Sequence, residues 1–190
     1  MVFEARAYQV AGWVGVVILG ICAVLAGVME KWWGLAGLAA LLSLAVAFLM
    51  LPSRLPSLFS MLFVAAAVLN GLGWVFNFWD RVPYYDPFTH AFTTFSGTLA
   101  VGYLVYGSVT LHVGRYATLL FALNVAALGM AVGGLWEIFE WSIGVPQTYQ
   151  SVAVDLIADA IGALGAAMLA MYVFRTTGPS PAKQPRHPDQ

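Results

Sequence analysis

Charge is what this sequence has least of. Only 9% of its 190 residues are Asp, Glu, Lys or Arg, where an ordinary soluble domain carries about 25%. Eight basic and nine acidic side chains cannot cover the outside of a water-soluble fold of this length, so lipid must contact much of it. Hydrophobic residues reach 61%, against roughly 45–50% in soluble domains. Cysteine is nearly absent: Cys22 stands alone within an apolar run, which excludes an internal disulfide and a thiolate metal motif and leaves it as a small core residue. No basic stripe interleaved with aromatics is present, so nucleic acid is not a partner. A Gly-x-Ser-x-Gly elbow and the Gly-rich phosphate loops are missing too, which leaves nucleophilic and nucleotide chemistry without support.

What the sequence does have is long apolar runs. A membrane-spanning helix needs about 20 mostly apolar residues, and six segments qualify: Val10–Val28, Gly34–Leu51, Leu58–Trp79, Pro87–Gly107, Ala117–Trp141 and Ala153–Val173. The breaks between them hold turn formers and interfacial aromatics, such as Glu30-Lys31-Trp32-Trp33 and Asp80-Arg81-Val82-Pro83, in the manner of an aromatic belt. Ala23 and Ala26 loosely match a signal-peptide cleavage site, but the run is long for one and five more spans follow. The expected fold is therefore all-α and polytopic, with six transmembrane helices over residues 1–175.

Orientation follows from the positive charges, which concentrate in cytoplasmic loops. Arg6, Arg54, Arg115, Arg175, Lys183 and Arg186 fall on one side, and only Lys31 and Arg81 on the other. Both termini are thus expected in the cytoplasm. Residues 176–190 are rich in proline and without hydrophobic periodicity, and read as a disordered cytoplasmic tail.

Five of the nine acidic residues lie at the ends of the last three spans: Asp86, Glu137, Glu140, Asp155 and Asp159. Under the derived topology all five converge at the outer leaflet. Spacing agrees, because residues three or four apart share a helix face: Asp86 with His90, Glu137 with Glu140, Asp155 with Asp159. Asn70 and Asn77, seven apart, share a face of the third span and read as polar donors behind the carboxylates. Small residues carry these faces inward: Gly97, Gly133, and the run Ala158, Gly162, Ala166, Ala170, which permits close helix approach. Turned to lipid, each charge would cost about 2.5–3.5 kcal/mol near a helix centre, so the carboxylates should face the bundle interior. Blander readings stand beside this one. Asp86 before Pro87 reads as a helix cap, Glu140 as an interfacial residue, and the two asparagines as interhelical hydrogen bonders. His112 and His187 read as loop and tail residues.

So many carboxylates together need compensating positive charge, and Arg81 is the only basic side chain nearby. Shared protons could supply it, or a divalent metal ion could. Carboxylates with one imidazole suit Zn²⁺, Mn²⁺, Fe²⁺, Mg²⁺ or Ca²⁺. The leading reading is a metal site built from Asp86, His90, Glu137, Glu140, Asp155 and Asp159, with Asn77 and Asn70 behind them, supporting metal-dependent hydrolysis at the membrane surface. A proton- or cation-coupled transporter is the first alternative, although only Asn124 and Ser43 offer polarity through the inner leaflet. A structural subunit clasped by hydrogen-bonded carboxylates is the second. The bilayer is the certain partner; a lipid or small-molecule ligand and a homo-oligomer or larger membrane complex stay open.

Three stretches carry a resemblance: Tyr84-Tyr85-Asp86-Pro87-Phe88-Thr89-His90-Ala91-Phe92, Gly134-Leu135-Trp136-Glu137-Ile138-Phe139-Glu140-Trp141, and Asp155-Leu156-Ile157-Ala158-Asp159-Ala160-Ile161-Gly162-Ala163. Together they resemble the YjdF-like family of bacterial inner-membrane proteins, over roughly the third to sixth spans. The first stretch is also similar to part of the VanZ-like membrane proteins. The resemblance implies a bacterial multipass protein and places Asp86, His90, Glu137, Glu140 and Asp155 on the family's polar positions. It brings no activity with it.

Overall fold

The computed structural model describes residues 5–51, 55–110, 115–145 and 148–177, and among them the chain is helical with no strand. Arg54, His112, Lys183, Arg186, His187 and the tail from residue 178 lie outside the described residues. The helices are α1 (Arg6–Val28), α2 (Trp32–Leu49), α3 (Ser57–Phe76), α4 (Phe78–Arg81), α5 (Tyr85–Thr110), α6 (Arg115–Ser142) and α7 (Tyr149–Thr177).

Five of them, α1, α2, α3, α6 and α7, are long and apolar enough to cross a bilayer, which marks the chain as a membrane protein. Helix α1, with 23 residues, is about 34 Å long at 1.5 Å per residue, enough for a hydrocarbon core of about 30 Å. Its outward stripe of Val10, Val14, Val17, Ile21, Val24 and Val28 is more than half exposed and wholly apolar, a face suited to lipid and not to water. Helix α5 is not among the five. Its 26 residues suffice in length, but Thr89, His90, Thr94, Ser96 and Thr98 are all buried on its inner side and lower its apolarity.

The expected continuous span Leu58–Trp79 is broken. Helix α3 stops at Phe76 and Asn77 takes the left-handed conformation, with φ 54° and ψ 46°, which asparagine tolerates better than most residues. The chain restarts at once as the one-turn helix α4. Trp79 then folds back over Gly73, where a Cβ would collide with its indole ring. The start of α7 is also earlier than the sequence suggests. Thr148 and Ser151 exchange side-chain bonds to each other's backbone N–H, at 2.9 and 3.0 Å, a reciprocal cap of the kind that opens helices. At its other end α7 continues through Thr177, so residues 176 and 177 are helical and not part of a tail.

The long helices form two groups of three. Helices α1, α2 and α3 pack on one another, as do α5, α6 and α7, and the groups meet along α3 and α5. Phe59 of α3 and Tyr103 of α5 make an edge-to-face contact at that seam, with ring centres 5.4 Å apart. Leu19, Leu38, Phe59, Val64, Leu99 and Val125 are fully buried around it. The run of small residues on α7 behaves as its spacing suggests: Ala158, Ala166 and Ala170 are buried, and at Gly162 a Cβ would strike the Ala91 carbonyl oxygen of α5. Helices α5 and α7 are therefore pressed together backbone to backbone, and this close approach positions the polar cluster.

Candidate metal centre

Three helix ends meet at the cluster: the start of α5, the end of α6 and the start of α7. From α5, Asp86 and His90 project one turn apart, with His90 Nε2 3.7 Å from Asp86 Oδ1. The helix begins at Tyr85, so Asp86 sits inside the first turn and does not cap it; its side chain is 40% exposed while that of His90 is 7% exposed. From α6, Glu137 brings Oε1 to 3.7 Å from His90 Nδ1. From α7, Asp159 brings Oδ2 to 3.4 Å from the same nitrogen. Only the Asp159 contact is within reach of a long hydrogen bond, and the two at 3.7 Å lie beyond it, so Asp159 is the acid that addresses Nδ1.

Asp159 is held by two neighbouring helices. Thr94, one turn beyond His90, donates its hydroxyl to Asp159 Oδ1 at 2.5 Å, and Gly133 of α6 leaves the space this side chain fills, since a Cβ there would collide with Oδ2. Glu140 accepts a hydrogen bond from Trp136 Nε1 at 2.9 Å, one turn back on the same helix. Glu137, Asp155 and Asp159 are all buried. Two sets of donors converge closely enough to hold an ion, Asp86 with His90 and Asp155, and His90 with Glu137 and Glu140; within each set the ligand atoms lie within 4.8 Å of one another. All six carboxylate and imidazole residues picked out by the sequence are thus brought together, with His90 common to both sets.

The asparagines separate. Asn70 donates to Thr93 Oγ1 at 2.8 Å and to the Ala66 carbonyl at 2.9 Å, and lines a cavity beside the cluster. Asn77 does not belong to the site. The left-handed turn takes it off the α3 face it was expected to share with Asn70, and its Oδ1 accepts from Lys31 Nζ at 2.6 Å. Lys31 also donates to the Trp74 and Val75 carbonyls, so it serves the exposed C-terminal end of α3 and not the carboxylates. Arg81 is exposed and forms no ion pair with the cluster; among the described residues every such pair to its acids comes from His90. Trp136 and Thr94 join the site as hydrogen-bond donors to its carboxylates. Their signals were there, Trp136 four residues before Glu140 and Thr94 four after His90, each one helical turn from its partner.

Two openings reach the cluster. A surface cleft of about 310 Å³ is lined by Asp86 and Asp155 with Thr148, Gln150 and Ser151. On the other side a cavity of about 280 Å³ runs along α5 from Asp86 and His90 to Val101. The buried surplus of acid over base needs compensation, by a cation or by protons shared among the carboxylates, because an uncompensated buried charge costs several kcal/mol or more.

The fold and this centre define a class: an all-helical membrane protein with a carboxylate–imidazole cluster where three helix ends meet. No protein-family model, curated protein or solved structure matches the chain.

Proposed function

We propose that the protein binds one divalent cation through Asp86, His90 and Asp155. The observation that supports this most strongly is how the two nitrogens of His90 are addressed. Asp159, held by Thr94, faces Nδ1, which leaves Nε2 toward Asp86, where Asp155 also converges. An imidazole whose far nitrogen is oriented by a hydrogen-bonded carboxylate is the usual arrangement around a metal ligand, and it fixes the tautomer. The donor set fits an ion: with bonds of about 2.0–2.2 Å two ligands span at most about 4.4 Å, comparable to the 4.8 Å within which these donor atoms lie. Two carboxylates with an imidazole favour Zn²⁺, Mn²⁺ or Fe²⁺ over Mg²⁺ and Ca²⁺, which prefer oxygen alone. Such an ion, when bound, supplies Lewis acidity and an acidified water, the chemistry of metal-assisted ester hydrolysis. Glu137, buried beside Nδ1, is the residue placed to hold a proton there.

In this reading Asp159 orients His90 and does not bind the ion. Asp159→Asn is expected to weaken Mn²⁺ binding by about 10–100-fold, as loss of an orienting carboxylate does, without abolishing it. Manganese titration followed by electron paramagnetic resonance checks this, and an unchanged affinity would remove Asp159 from the role. Transport is less well supported. Asn124 and Ser43, the polar residues expected to continue a path inward, are exposed and bond back to their own helices, to the Leu120 and Ala39 carbonyls.

The same reading takes α5 as a sixth span, the six helices as one membrane domain, and both termini as cytoplasmic in a bacterial inner membrane, with the cluster at the outer face. The resemblance to the YjdF-like family belongs to it. Because Cys22 is buried, single cysteines report orientation cleanly. Tyr149→Cys should react with a membrane-impermeant maleimide in intact cells and Met50→Cys only after permeabilisation; the reverse pattern inverts the topology.

A further inference from the structure

The cavity beside the cluster runs along α5. Thr89, Thr93, Gly97 and Val101 line it in succession, each one helical turn from the last, so it extends for about 18 Å at 1.5 Å per residue. Toward Val101 its walls are Leu41, Leu44, Phe63 and Leu128, all apolar. The helices that carry them, α2, α3 and α6, are long and apolar enough to cross a bilayer. At about 280 Å³ the cavity lies near the lower end of the roughly 300–1,000 Å³ typical of small-molecule sites, a size that suits one chain drawn from lipid.

At the other end the charged groups are already engaged. Asp86 and Asp159 face His90, Glu140 accepts the Trp136 Nε1–H, and among the described residues no Lys or Arg lines the cavity. An ionic head of either sign would be buried there without a counter-charge of its own, which is costly. The groups with hydrogen bonds to spare are uncharged. The Thr89 hydroxyl, on a side chain 2% exposed, has no hydrogen-bond partner. Thr93 accepts from Asn70, and its own O–H has no acceptor among the described residues. Asn70, 7% exposed, spends its amide N–H groups on Ala66 and Thr93, which leaves Oδ1 free to accept.

A buried polar group without a partner costs free energy until something satisfies it. A ligand hydroxyl serves both kinds of vacancy, since it donates one hydrogen bond and accepts others: it can donate to Asn70 Oδ1 and accept from Thr89 or Thr93. We infer that this cavity binds a single-chain, uncharged amphiphile with a hydroxyl head, which sits at Thr89, Thr93 and Asn70 while its chain lies along α5 past Gly97. The inference does not rest on the metal reading, since none of these three residues is among the ion's ligands Asp86, His90 and Asp155.

Photolabelling of the protein in nanodiscs tests it, with chelator present so that the outcome is independent of any ion. The probe is 1-decanol carrying a diazirine at its chain end, and labelled positions are read by peptide mass spectrometry. Saturable labelling near Val101 and Leu128 is expected, displaced by plain 1-decanol. Compared at equal amounts per lipid, decane, decyltrimethylammonium and decyl sulfate should each displace it at least about tenfold less well, the first for want of a hydroxyl and the others for an unmatched charge. Thr89→Val, which removes the hydroxyl at nearly constant shape, should weaken the probe by about three- to tenfold, the worth of one hydrogen bond. Gly97→Leu, whose Cβ meets only the Phe63 ring at 3.9 Å and whose side chain would block the way to the apolar end, should abolish labelling at Val101 and Leu128. Absence of saturable labelling, equal displacement by decane or by either charged analogue, or wild-type labelling in either variant would overturn the inference. If a variant fails to fold, the displacement series on wild-type protein decides it.

Discussion

His90→Ala is expected to reduce divalent-cation affinity by more than about 100-fold, beyond the 10–100-fold that loss of an orienting neighbour costs. The reason is its position: both sets of converging donors contain His90, so among the described residues no other converging set survives its loss. Single carboxylate changes should divide along the same line. Asp155→Asn removes a member of the set that Nε2 faces and should cost most of the binding. Glu140→Gln touches only the other set and should change affinity by less than about tenfold. Manganese titration of the three variants gives the order. If Glu140→Gln proved the more damaging, the ion would belong with Glu137 and Glu140, and Asp159 would lose its role as the group orienting the imidazole.

The second large effect is expected far from any ligand atom. Gly162→Leu should destabilise the protein by about 3 kcal/mol, at the upper end of the cost of overpacking, because the new side chain meets backbone and not a flexible side chain. A Cβ at this position would already touch the Ala91 carbonyl oxygen, with the Ala91 carbonyl carbon and the Phe95 nitrogen each at 3.0 Å. Helices α5 and α7 would have to separate. Since Asp155 and Asp159 ride on α7 and His90 and Thr94 on α5, metal affinity should fall together with stability. Gly134→Ala is the control: nothing lies within 4 Å of a Cβ there, and the helix preference of alanine over glycine, about 0.5–1 kcal/mol, should leave stability equal or slightly raised. Thermal unfolding of both variants in one detergent measures the difference. A Gly162→Leu protein as stable as wild type would mean the helices are not in backbone contact.

Much of this centre is legible in the amino-acid sequence, because helical periodicity is a local property. Asp86 with His90, and Glu137 with Glu140, had to share faces once their segments were helical, and carboxylates inside apolar helices had few places to go but inward. The same rule failed at Asn77. Seven residues from Asn70, it belonged on the same face only while the helix continued, and one left-handed residue ended the helix there. In the sequence Lys31 reads as a loop charge that bears on orientation; that it reaches 43 residues along the chain to the end of α3 is a tertiary fact with no local signature. The cavity was hidden for a related reason. It is lined from both groups of three helices, by residues of α2 and α3 as well as of α5 and α6, and no residue pattern within one helix encodes which helices of the other group it will face. Thr94 lies between these cases: its spacing from His90 was visible, but its value depends on Asp159, 65 residues away.

The central claim is that a cation supplies the positive charge missing from a cluster of five carboxylates and one imidazole. Elemental mass spectrometry of the purified wild-type protein tests it most directly, after mild chelation and re-addition of Zn²⁺, Mn²⁺ or Fe²⁺ in turn. The account predicts close to one ion per chain for at least one of these metals, retained through gel filtration. A well-folded protein that holds none of them would contradict it, and would leave protons shared among Asp86, Glu137, Asp155 and Asp159 as the compensating charge.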